Sequence, residues 1–210
     1  VRLDMMEHFG AFITESSGHL SEYLPYYRKR KDVREKYCHG GYNGETSFYA
    51  NNWPQWRKNG DAWRTEFGNG EHKDWKVVRS WEYSSYAIEA LEMNRPFVMY
   101  ATVPNTGLIS NLPQDGVVEV ACHCDKNGIV PCYFGALPAQ MAAPCDWNMR
   151  CYELAAQACL DFDLEKAILA MTVDPHTASV CCPAEVRKMA KELFAAEKAY
   201  LDPRFFKKGK

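Results

Sequence analysis

Residues 117–135 read VVEVACHCDKNGIVPCYFG, and this stretch decides the fold class. Two apolar, β-branched runs flank the tetrapeptide Asp125-Lys126-Asn127-Gly128. Because Asn-Gly between such runs is a strong signal for a tight antiparallel turn, the stretch predicts a β-hairpin. PFVMYATVPN at 96–105 is also β-like, so we expect a small antiparallel sheet.

Helical patterns surround these strands and dominate the chain. Apolar periodicity and flanking stop signals predict helices at 2–9, 80–93, 144–161, 163–172 and 183–201. We expect Gly10 to end the first helix and Ser80 to cap the second. A further helix carrying Phe48, Trp53, Trp56 and Trp63 is expected to be partly buried and interrupted near Pro54. The sequence therefore predicts an α+β fold, helix-dominated with a small antiparallel sheet.

Composition excludes several classes of partner. The chain has 210 residues, with 25 basic and 27 acidic side chains and a net charge of −2. This balance gives no attraction to nucleic acid or to a membrane surface, and no apolar run approaches the roughly 20 residues of a membrane helix. The nine cysteines are odd in number and irregularly spaced. Together with the lack of a signal-peptide pattern, they predict reduced thiols in a cytoplasmic protein.

The sequence Cys122-His123-Cys124 contains side chains that bind zinc, but its spacing argues against a metal site. On a strand, successive side chains point to opposite faces, so Cys122 and Cys124 share a face and His123 points away. We therefore predict buried thiols here and no metal-ligating residues.

Residues 12–27, FITESSGHLSEYLPYY, are unusually polar for a stretch anchored by apolar side chains. Three tyrosines, two glutamates and a histidine are typical of a pocket wall that meets a polar ligand. No glycine-rich phosphate loop, hydrolase elbow or HExxH motif accompanies it. The residue pattern alone thus predicts an α+β domain with a polar, tyrosine-rich pocket.

Several stretches extend this interpretation because they resemble a known family. These are HFGAFITESSGHLSEYLPYY at 8–27, GETSFYANNWPQWRK at 44–58, SWEYSSYAIEALEMNRPFV at 80–98, residues 105–140 from NTGLISNLPQDG to GALPAQ, and DPHTASV at 174–180. In this order they resemble the C-terminal half of the NAD- and manganese-dependent glycosidases of glycoside hydrolase family 4, within its α-galactosidase branch.

The resemblance implies a fold like the C-terminal domain of lactate and malate dehydrogenases, without the N-terminal Rossmann domain. We expect residues 1–203 to form the catalytic, substrate and oligomerisation domain and 204–210 to form a tail. The chain begins with Val1 rather than methionine, and we expect it to be part of a longer protein. The main binding residues for NAD and Mn²⁺ are then expected upstream, so this part alone would be inactive.

The resemblance also implies an unusual route to glycoside hydrolysis. NAD takes a hydride from C3 of the sugar, a base removes the proton from C2, the C1 substituent leaves, water adds, and the hydride returns. The family's base is a tyrosine, which corresponds to Tyr23 here, and Glu15 corresponds to an acidic position near the metal. His19 is expected to contact a sugar hydroxyl of the substrate or the shell of the metal ion. Gly18 departs from the family, where glutamate is usual.

Two asparagines are further candidates for sugar binding. Asn105 and Asn111 carry both donors and acceptors suited to a polyol, although Asn-Gly-rich loops also use asparagine for turns alone. The expected function is hydrolysis of α-galactosides by a homodimer or homotetramer. The alternative is a sugar-binding or oligomerisation module without catalysis of its own, and the identity and phosphorylation of the sugar stay open.

Overall fold

The computed structural model describes residues 1–206 apart from Lys73 and Trp75. Three strands form one antiparallel sheet in the order β1 (Phe97–Pro104), β2 (Val117–Asp125) and β3 (Gly128–Pro131). Helices of the described residues are α1 (Arg2–Phe9), α2 (Ser17–Tyr23), α3 (Lys31–Tyr37), α4 (Phe48–Gly68), α5 (Ser84–Met93), α6 (Ala139–Asp161), α7 (Leu164–Val173), α8 (Pro175–Val180) and α9 (Pro183–Ala196). The helix-dominated α+β fold class is confirmed.

The predicted hairpin joins β2 to β3. Asp125 pairs with Gly128, and the Asp125 carboxylate accepts a hydrogen bond from the backbone N–H of Asn127 at 2.7 Å. The positive φ of this turn falls on Gly128, at 121°, where a residue without Cβ carries no steric penalty. The turn sequence thus fixes both the position and the direction of β3.

Side-chain alternation along β2 explains its cysteines. Cys122 and Cys124 are buried on the core face with Val118 and Val120, whereas His123 is exposed on the other face. This arrangement confirms the prediction from strand periodicity. All nine thiols are free, and no group of three or more histidine, cysteine or acidic side chains in the described part of the chain is placed to hold a metal ion.

Two apolar clusters lie in the interior of the described residues, beside a buried contact among α6, α7 and α9. The first packs the covered face of the sheet against α5, α6 and the loop after β1, and its buried members are Met99, Leu108, Ile109, Leu112, Val118, Val120 and Cys122. The second joins α1, α2 and α3 through Met5, Leu20, Leu24, Tyr27 and Cys38. The second cluster matters for function because it fixes α2, which carries the polar stretch 12–27.

Helix ends differ from the predictions where proline or a side-chain contact changes the local geometry. α4 is continuous through Pro54, so the predicted interruption is wrong; a proline removes one backbone bond, and the turns on both sides continue. None of the α4 residues is buried, although Phe48 and Trp56 are half-buried. Likewise, α6 begins at Ala139, five residues before the predicted start, and includes Pro144.

The start of α5 was also predicted too early. Ser80 does not cap this helix, because its hydroxyl accepts a bond from the N–H of Glu82 in a separate turn. The helix starts after Tyr83, whose hydroxyl donates to the carbonyl of Tyr100 on β1 at 2.8 Å. The aromatic anchor to the sheet, rather than a serine cap, therefore sets the start of α5.

The C-terminal region ends in a packed turn. α9 ends at Ala196 rather than Leu201, and residues 203–206 form a 3₁₀ turn. The ring of Phe205 packs against Phe162 and Phe194, with centroids 5.4 and 5.6 Å away. The first residues of the predicted tail 204–210 are therefore packed, and its last four lie outside the described residues. No described helix is both long and apolar enough to span a membrane.

Candidate functional site

Helix α2 has one buried face and one face that is exposed to solvent. The Ser16 hydroxyl accepts a bond from the His19 N–H at 3.3 Å, which begins the helix, and the chain turns extended at Leu24. Leu20 and Ser21 are buried. Because side chains three to four residues apart share a face, the remaining polar side chains collect on the exposed side.

His19 and Tyr23 lie together on this exposed side, and Glu15, just before the N-cap of the helix, lies near Tyr23. The His19 and Tyr23 rings are nearly parallel, with their centroids 6.5 Å apart. Nδ1 of His19 lies 3.3 Å from a carboxylate oxygen of Glu22, which orients the imidazole. The Glu15 carboxylate accepts the Ser16 N–H at 2.6 Å. The structure thus brings three of the five predicted site residues into one cluster, which we call the α2 rim.

Electrostatics at the α2 rim keep Tyr23 protonated. Its side chain is 38% exposed, and burial, followed by the negative charges of Glu15 and Glu22, raises the pKa of its phenol above the usual value near 10. In this environment Tyr23 is a hydrogen-bond donor at neutral pH. A cation placed nearby would act in the opposite direction and favour the phenolate.

Helix α6 supplies a second set of side chains that sequence reasoning missed. The amide of Asn148 donates to the Tyr23 carbonyl at 3.3 Å, and Tyr152 follows one turn later on the same helix. Burial raises the pKa of the Tyr152 phenol, and negative charges on Tyr23, Cys151, Asp174 and Glu15 raise it further. The apolar periodicity of this segment predicted a helix and gave no signal that it would meet α2.

The loop at 40–45 forms the other side of the candidate site because residue 18 is glycine. A β-carbon on Gly18 would overlap the carbonyl oxygen of Tyr42 and lie 3.1 Å from the Gly44 nitrogen. The loop therefore rests directly on the backbone of α2. The departure at Gly18 is thus explained by packing: a glutamate there would displace the loop.

Arg28 holds this loop to α2. Its guanidinium donates to the Ser21 hydroxyl at 2.9 Å, to the Gly44 carbonyl at 3.1 Å and to the Glu22 carboxylate at 3.3 Å. The result is a small cleft between α2 and the loop, lined by His19, Glu22, Tyr42, Glu45, Phe48 and Tyr49. Carboxylates beside aromatic rings give this cleft both polar and apolar contacts.

Asn105 lies in a different place from the α2 rim and serves the loop after β1. It is fully buried, and its amide nitrogen donates to the carbonyls of Ile109 and Pro113 at 3.0 Å and of Leu112 at 3.3 Å. Its oxygen accepts the Ile109 N–H at 2.9 Å. All of its polar atoms are used by backbone, which favours the turn-forming alternative over sugar contact.

Asn111 has a similar bonding pattern in an exposed position. Its amide nitrogen donates to the Leu137 carbonyl at 2.8 Å, and its oxygen accepts the Leu137 N–H at 2.9 Å. This paired bond fastens the loop after β1 to the segment before α6. The structure does not bring Asn111 into contact with Glu15, His19 or Tyr23.

The described side chains do not form a complete metal site. Across residues 1–206 without Lys73 and Trp75, no three metal-ligating side chains converge; near Tyr23 the chain offers the carboxylates of Glu15 and Glu22, and the latter is already bonded to His19. A divalent ion held here would need ligands beyond these side chains.

Comparison with known proteins identifies the class of this chain. Residues 1–177 match the family 4 glycosyl hydrolase C-terminal domain, and the chain belongs to this family. It is 35% identical over 205 residues to an α-galactosidase of Bacillus subtilis (strain 168) and 32% identical over 204 residues to an α-galactosidase of Rhizobium meliloti (strain 1021). These alignments cover 96% of this chain, and 45% and 42% of the two relatives.

A solved structure shares the fold. A 6-phospho-α-glucosidase from gut microorganisms, crystallised with NAD and Mn²⁺, matches with a TM-score of 0.68 at 19% identity, over 94% of this chain and 42% of that one. The resemblance to the C-terminal half of the family is therefore confirmed. The chain spans less than half the length of the relatives that it matches.

Proposed function

We propose that this chain is the C-terminal catalytic part of an NAD- and Mn²⁺-dependent glycosidase that hydrolyses α-galactosides. The observation that carries the proposal is the convergence of His19 and Tyr23 on one face of α2 with Glu15, which lies just before the helix. The family membership and the two α-galactosidase relatives support the same activity. They favour it over a sugar-binding or oligomerisation module without catalysis.

In this proposal, bound NAD supplies reversible oxidation at C3 of the sugar, and the divalent ion supplies Lewis-acid stabilisation of the oxygen there. Both groups would be held mainly by residues outside this chain. The contribution of this chain is acid–base chemistry and substrate positioning at the α2 rim. Alone, it would lack turnover, because the groups that hold NAD and the metal ion are expected mainly outside this chain.

Tyr23 is the base that removes the C2 proton. As a phenol with a raised pKa it would be a poor base at neutral pH, so the reaction requires positive charge near its oxygen. Glu15 is close enough to Tyr23 to raise that pKa, and it is therefore placed to meet the same cation. His19, oriented by Glu22, is placed to hydrogen-bond a sugar hydroxyl.

Asn105 and Asn111 contribute indirectly. They fix the loop after β1 rather than contact the sugar, since their amides are bonded to backbone groups. The cleft beneath the loop at 40–45 adds aromatic rings beside carboxylates, a combination that suits a sugar with apolar and hydroxylated faces. We assign substrate contact to the α2 rim and this cleft.

The proposal also covers the oligomeric state, the compartment and the partners of the protein. We propose that residues 1–203 act as catalytic, substrate and oligomerisation domain within a homodimer or homotetramer. Nine free thiols favour the cytoplasm. The partner is a small-molecule glycoside, and neither nucleic acid nor membrane is expected from the charge balance.

The test is hydrolysis of p-nitrophenyl α-galactoside by the complete gene product, with and without NAD, Mn²⁺ and a reductant. Activity that requires all three supports the proposal, whereas activity without NAD or metal would contradict it. Tyr23→Phe should lower kcat by about 10²–10⁴-fold, the range for a lost general base. Cofactor binding should be unchanged in this variant. Binding of galactose without turnover under any condition would support the sugar-binding module instead.

A further inference from the structure

Two side chains bond the Glu22 carboxylate, one at each of its oxygens. One oxygen lies 3.3 Å from Nδ1 of His19, and the other accepts a bond from the Arg28 guanidinium at 3.3 Å. The same arginine donates to the Gly44 carbonyl at 3.1 Å. A continuous line of contacts therefore runs from the loop at 40–45 through Arg28 and Glu22 to the imidazole of His19.

Arg28 is held more firmly than the two side chains that follow it in this line. Its side chain is 13% exposed, against 50% for Glu22 and 47% for His19. Its Nε donates at 2.9 Å to the hydroxyl of Ser21, which is fully buried and itself bonded to the Gly18 carbonyl. Because few other positions are open to a largely buried side chain with these bonds, the arginine is the fixed point that orients the carboxylate.

Glycine at position 44 leaves the space in which the Arg28 guanidinium lies. A β-carbon there would be 2.8 Å from Nη2 of Arg28 and 3.2 Å from the Ser21 hydroxyl. Gly44 also has a φ of 102°, a backbone conformation that favours glycine. The loop and the arginine therefore fit each other only when residue 44 has no side chain. A substitution at residue 44 would displace Arg28 without removing its charge.

The contact with Glu22 determines which nitrogen of His19 carries the proton. A carboxylate only accepts hydrogen bonds, so Nδ1 of the neutral imidazole must be the donor. Nε2 is then without a proton and is a hydrogen-bond acceptor. An acceptor suits the hydroxyl groups of a sugar, each of which can donate a hydrogen bond. If the Glu22 carboxylate turned away, His19 would lose this preference for one tautomer.

We propose that Arg28 is a positioning residue of the candidate site: it holds Glu22 so that His19 presents an unprotonated Nε2 to a sugar hydroxyl. Arg28 acts through Glu22 rather than on the sugar. The loop at 40–45 belongs to the same unit, because a shift of Gly44 moves the arginine and, through Glu22, the imidazole. The role of the sugar rests on the proposed function, whereas the tautomer of His19 depends on this chain alone.

The tautomer is measured by proton–nitrogen correlation NMR of the imidazole rings in this 210-residue chain. Spectra are recorded at a pH where all six imidazoles are neutral, and the His19 signals are assigned by their loss in His19→Gln. The unmodified chain should carry the proton on Nδ1, and Arg28→Gln should lose that preference. Arg187→Gln is the matched control and should keep it, because Arg187 of α9 bonds Glu165 of α7 instead.

Two results of this measurement would overturn the proposal. A proton on Nε2 of His19 in the unmodified chain would show that Glu22 does not fix the imidazole. A tautomer that Arg28→Gln leaves unchanged would show that the arginine does not position the carboxylate. Arg28→Lys keeps the charge with fewer donors, and its preference for Nδ1 should lie between those of the unmodified chain and Arg28→Gln.

Gly44→Ala tests the same line of contacts from the loop. It should change the His19 tautomer as Arg28→Gln does, because the added methyl group displaces the guanidinium. Gly107→Ala is the matched control: its φ of 86° imposes similar backbone strain, and nothing lies within 4 Å of its β-carbon position. Circular dichroism checks that each variant is folded. An unchanged tautomer in folded Gly44→Ala would contradict the coupling between the loop and His19.

Kinetics of the complete gene product test the consequence for the substrate. Arg28→Gln should raise KM for p-nitrophenyl α-galactoside about three- to tenfold, the effect of one lost hydrogen bond, and should change kcat less. Arg28→Lys should recover part of this loss. An unchanged KM together with a changed tautomer would contradict the contact between Nε2 and the sugar. If the complete protein hydrolyses no galactoside under any condition, the proposed function fails, and the NMR result still decides the role of Arg28.

Discussion

The backbone of Gly18 in α2 lies directly against the carbonyl oxygen of Tyr42, leaving no space for a side chain on residue 18. This contact joins two segments that are 24 residues apart in the chain and forms one side of the cleft beside the α2 rim. Arg28 reinforces it by bonding Ser21 on the helix and Gly44 in the loop. The departure from the family pattern at this position is therefore a change in the shape of the candidate site.

Gly18→Ala should destabilise the chain by about 1–3 kcal/mol, the usual range for overpacking a closed site. The added methyl group would push the loop at 40–45 away from α2. Urea unfolding followed by circular dichroism measures the change. Gly68→Ala is the matched control, because nothing lies within 4 Å of its β-carbon position, and we expect it to be neutral or slightly stabilising. Equal effects of the two variants would contradict the steric argument.

Asn105→Ala should cost about 2–3 kcal/mol, because it leaves a buried N–H and several carbonyls of the loop after β1 without their partner. Asn111→Ala removes two bonds at an exposed site, where water can replace them, and should cost about 1 kcal/mol or less. The measurement is urea unfolding of each variant, and the midpoints are compared where the dependence of the unfolding free energy on urea concentration is unchanged. Smaller destabilisation by Asn105→Ala than by Asn111→Ala would contradict the structural role assigned to Asn105.

Local signals in the sequence were sufficient to predict the hairpin and the buried face of β2. The turn from Asp125 to Gly128 and the inward-facing Cys122 and Cys124 follow from turn chemistry and from the two-residue period of a strand, both of which act over a few residues. The proximity of His19 and Tyr23 also follows from short spacing, because residues four apart meet on one helix face. Glu15 precedes the N-cap Ser16, so its place beside them depends on the turn that enters the helix. The chemical role of Tyr23 rested on the family resemblance.

Contacts between distant segments could not be predicted in this way. Asn148 meets the Tyr23 carbonyl across 125 residues, and no periodicity in either segment indicates that α6 faces α2. The path of α4 through Pro54 was missed because a single lost backbone bond does not stop a helix whose neighbouring turns remain intact. The buried position of Asn105 depends on how its whole loop folds, so its amide could equally have faced a ligand.

Low pH should destabilise the packing of α1, α2 and α3, because the Asp4 carboxylate becomes protonated there. Burial opposes ionisation of this carboxyl, but hydrogen bonds at 2.8 Å from the hydroxyls of Tyr37 and Tyr27 outweigh it, and the pKa of Asp4 is lowered. A carboxyl whose pKa is lower in the folded chain stabilises it above the unfolded pKa of about 3.9 and loses that contribution as pH falls through the folded value.

The corresponding experiment compares urea midpoints at pH values from about 6 down to about 2. We expect the unmodified chain to lose stability in the acid range and Tyr37→Phe to lose less of it, because that variant moves the pKa of Asp4 back toward its ordinary value. Asp4→Asn should remove this part of the pH dependence. Parallel pH curves for the unmodified chain and Asp4→Asn would show that the tyrosine bonds do not depress the Asp4 pKa.

The charge environment of Tyr23 gives a direct test of the α2 rim. Because burial and the carboxylates of Glu15 and Glu22 raise the pKa of this phenol, Tyr23 should ionise above pH 10 in the isolated chain. Glu15→Gln removes one negative charge and should lower that pKa, whereas Glu35→Gln, an exposed charge outside the site, should leave it unchanged. Phenolate absorbance of each protein, minus that of its Tyr23→Phe counterpart, isolates this one tyrosine. If Glu15→Gln leaves the titration unmoved, Glu15 does not face the Tyr23 oxygen, and the pairing of the two in the proposed site is wrong.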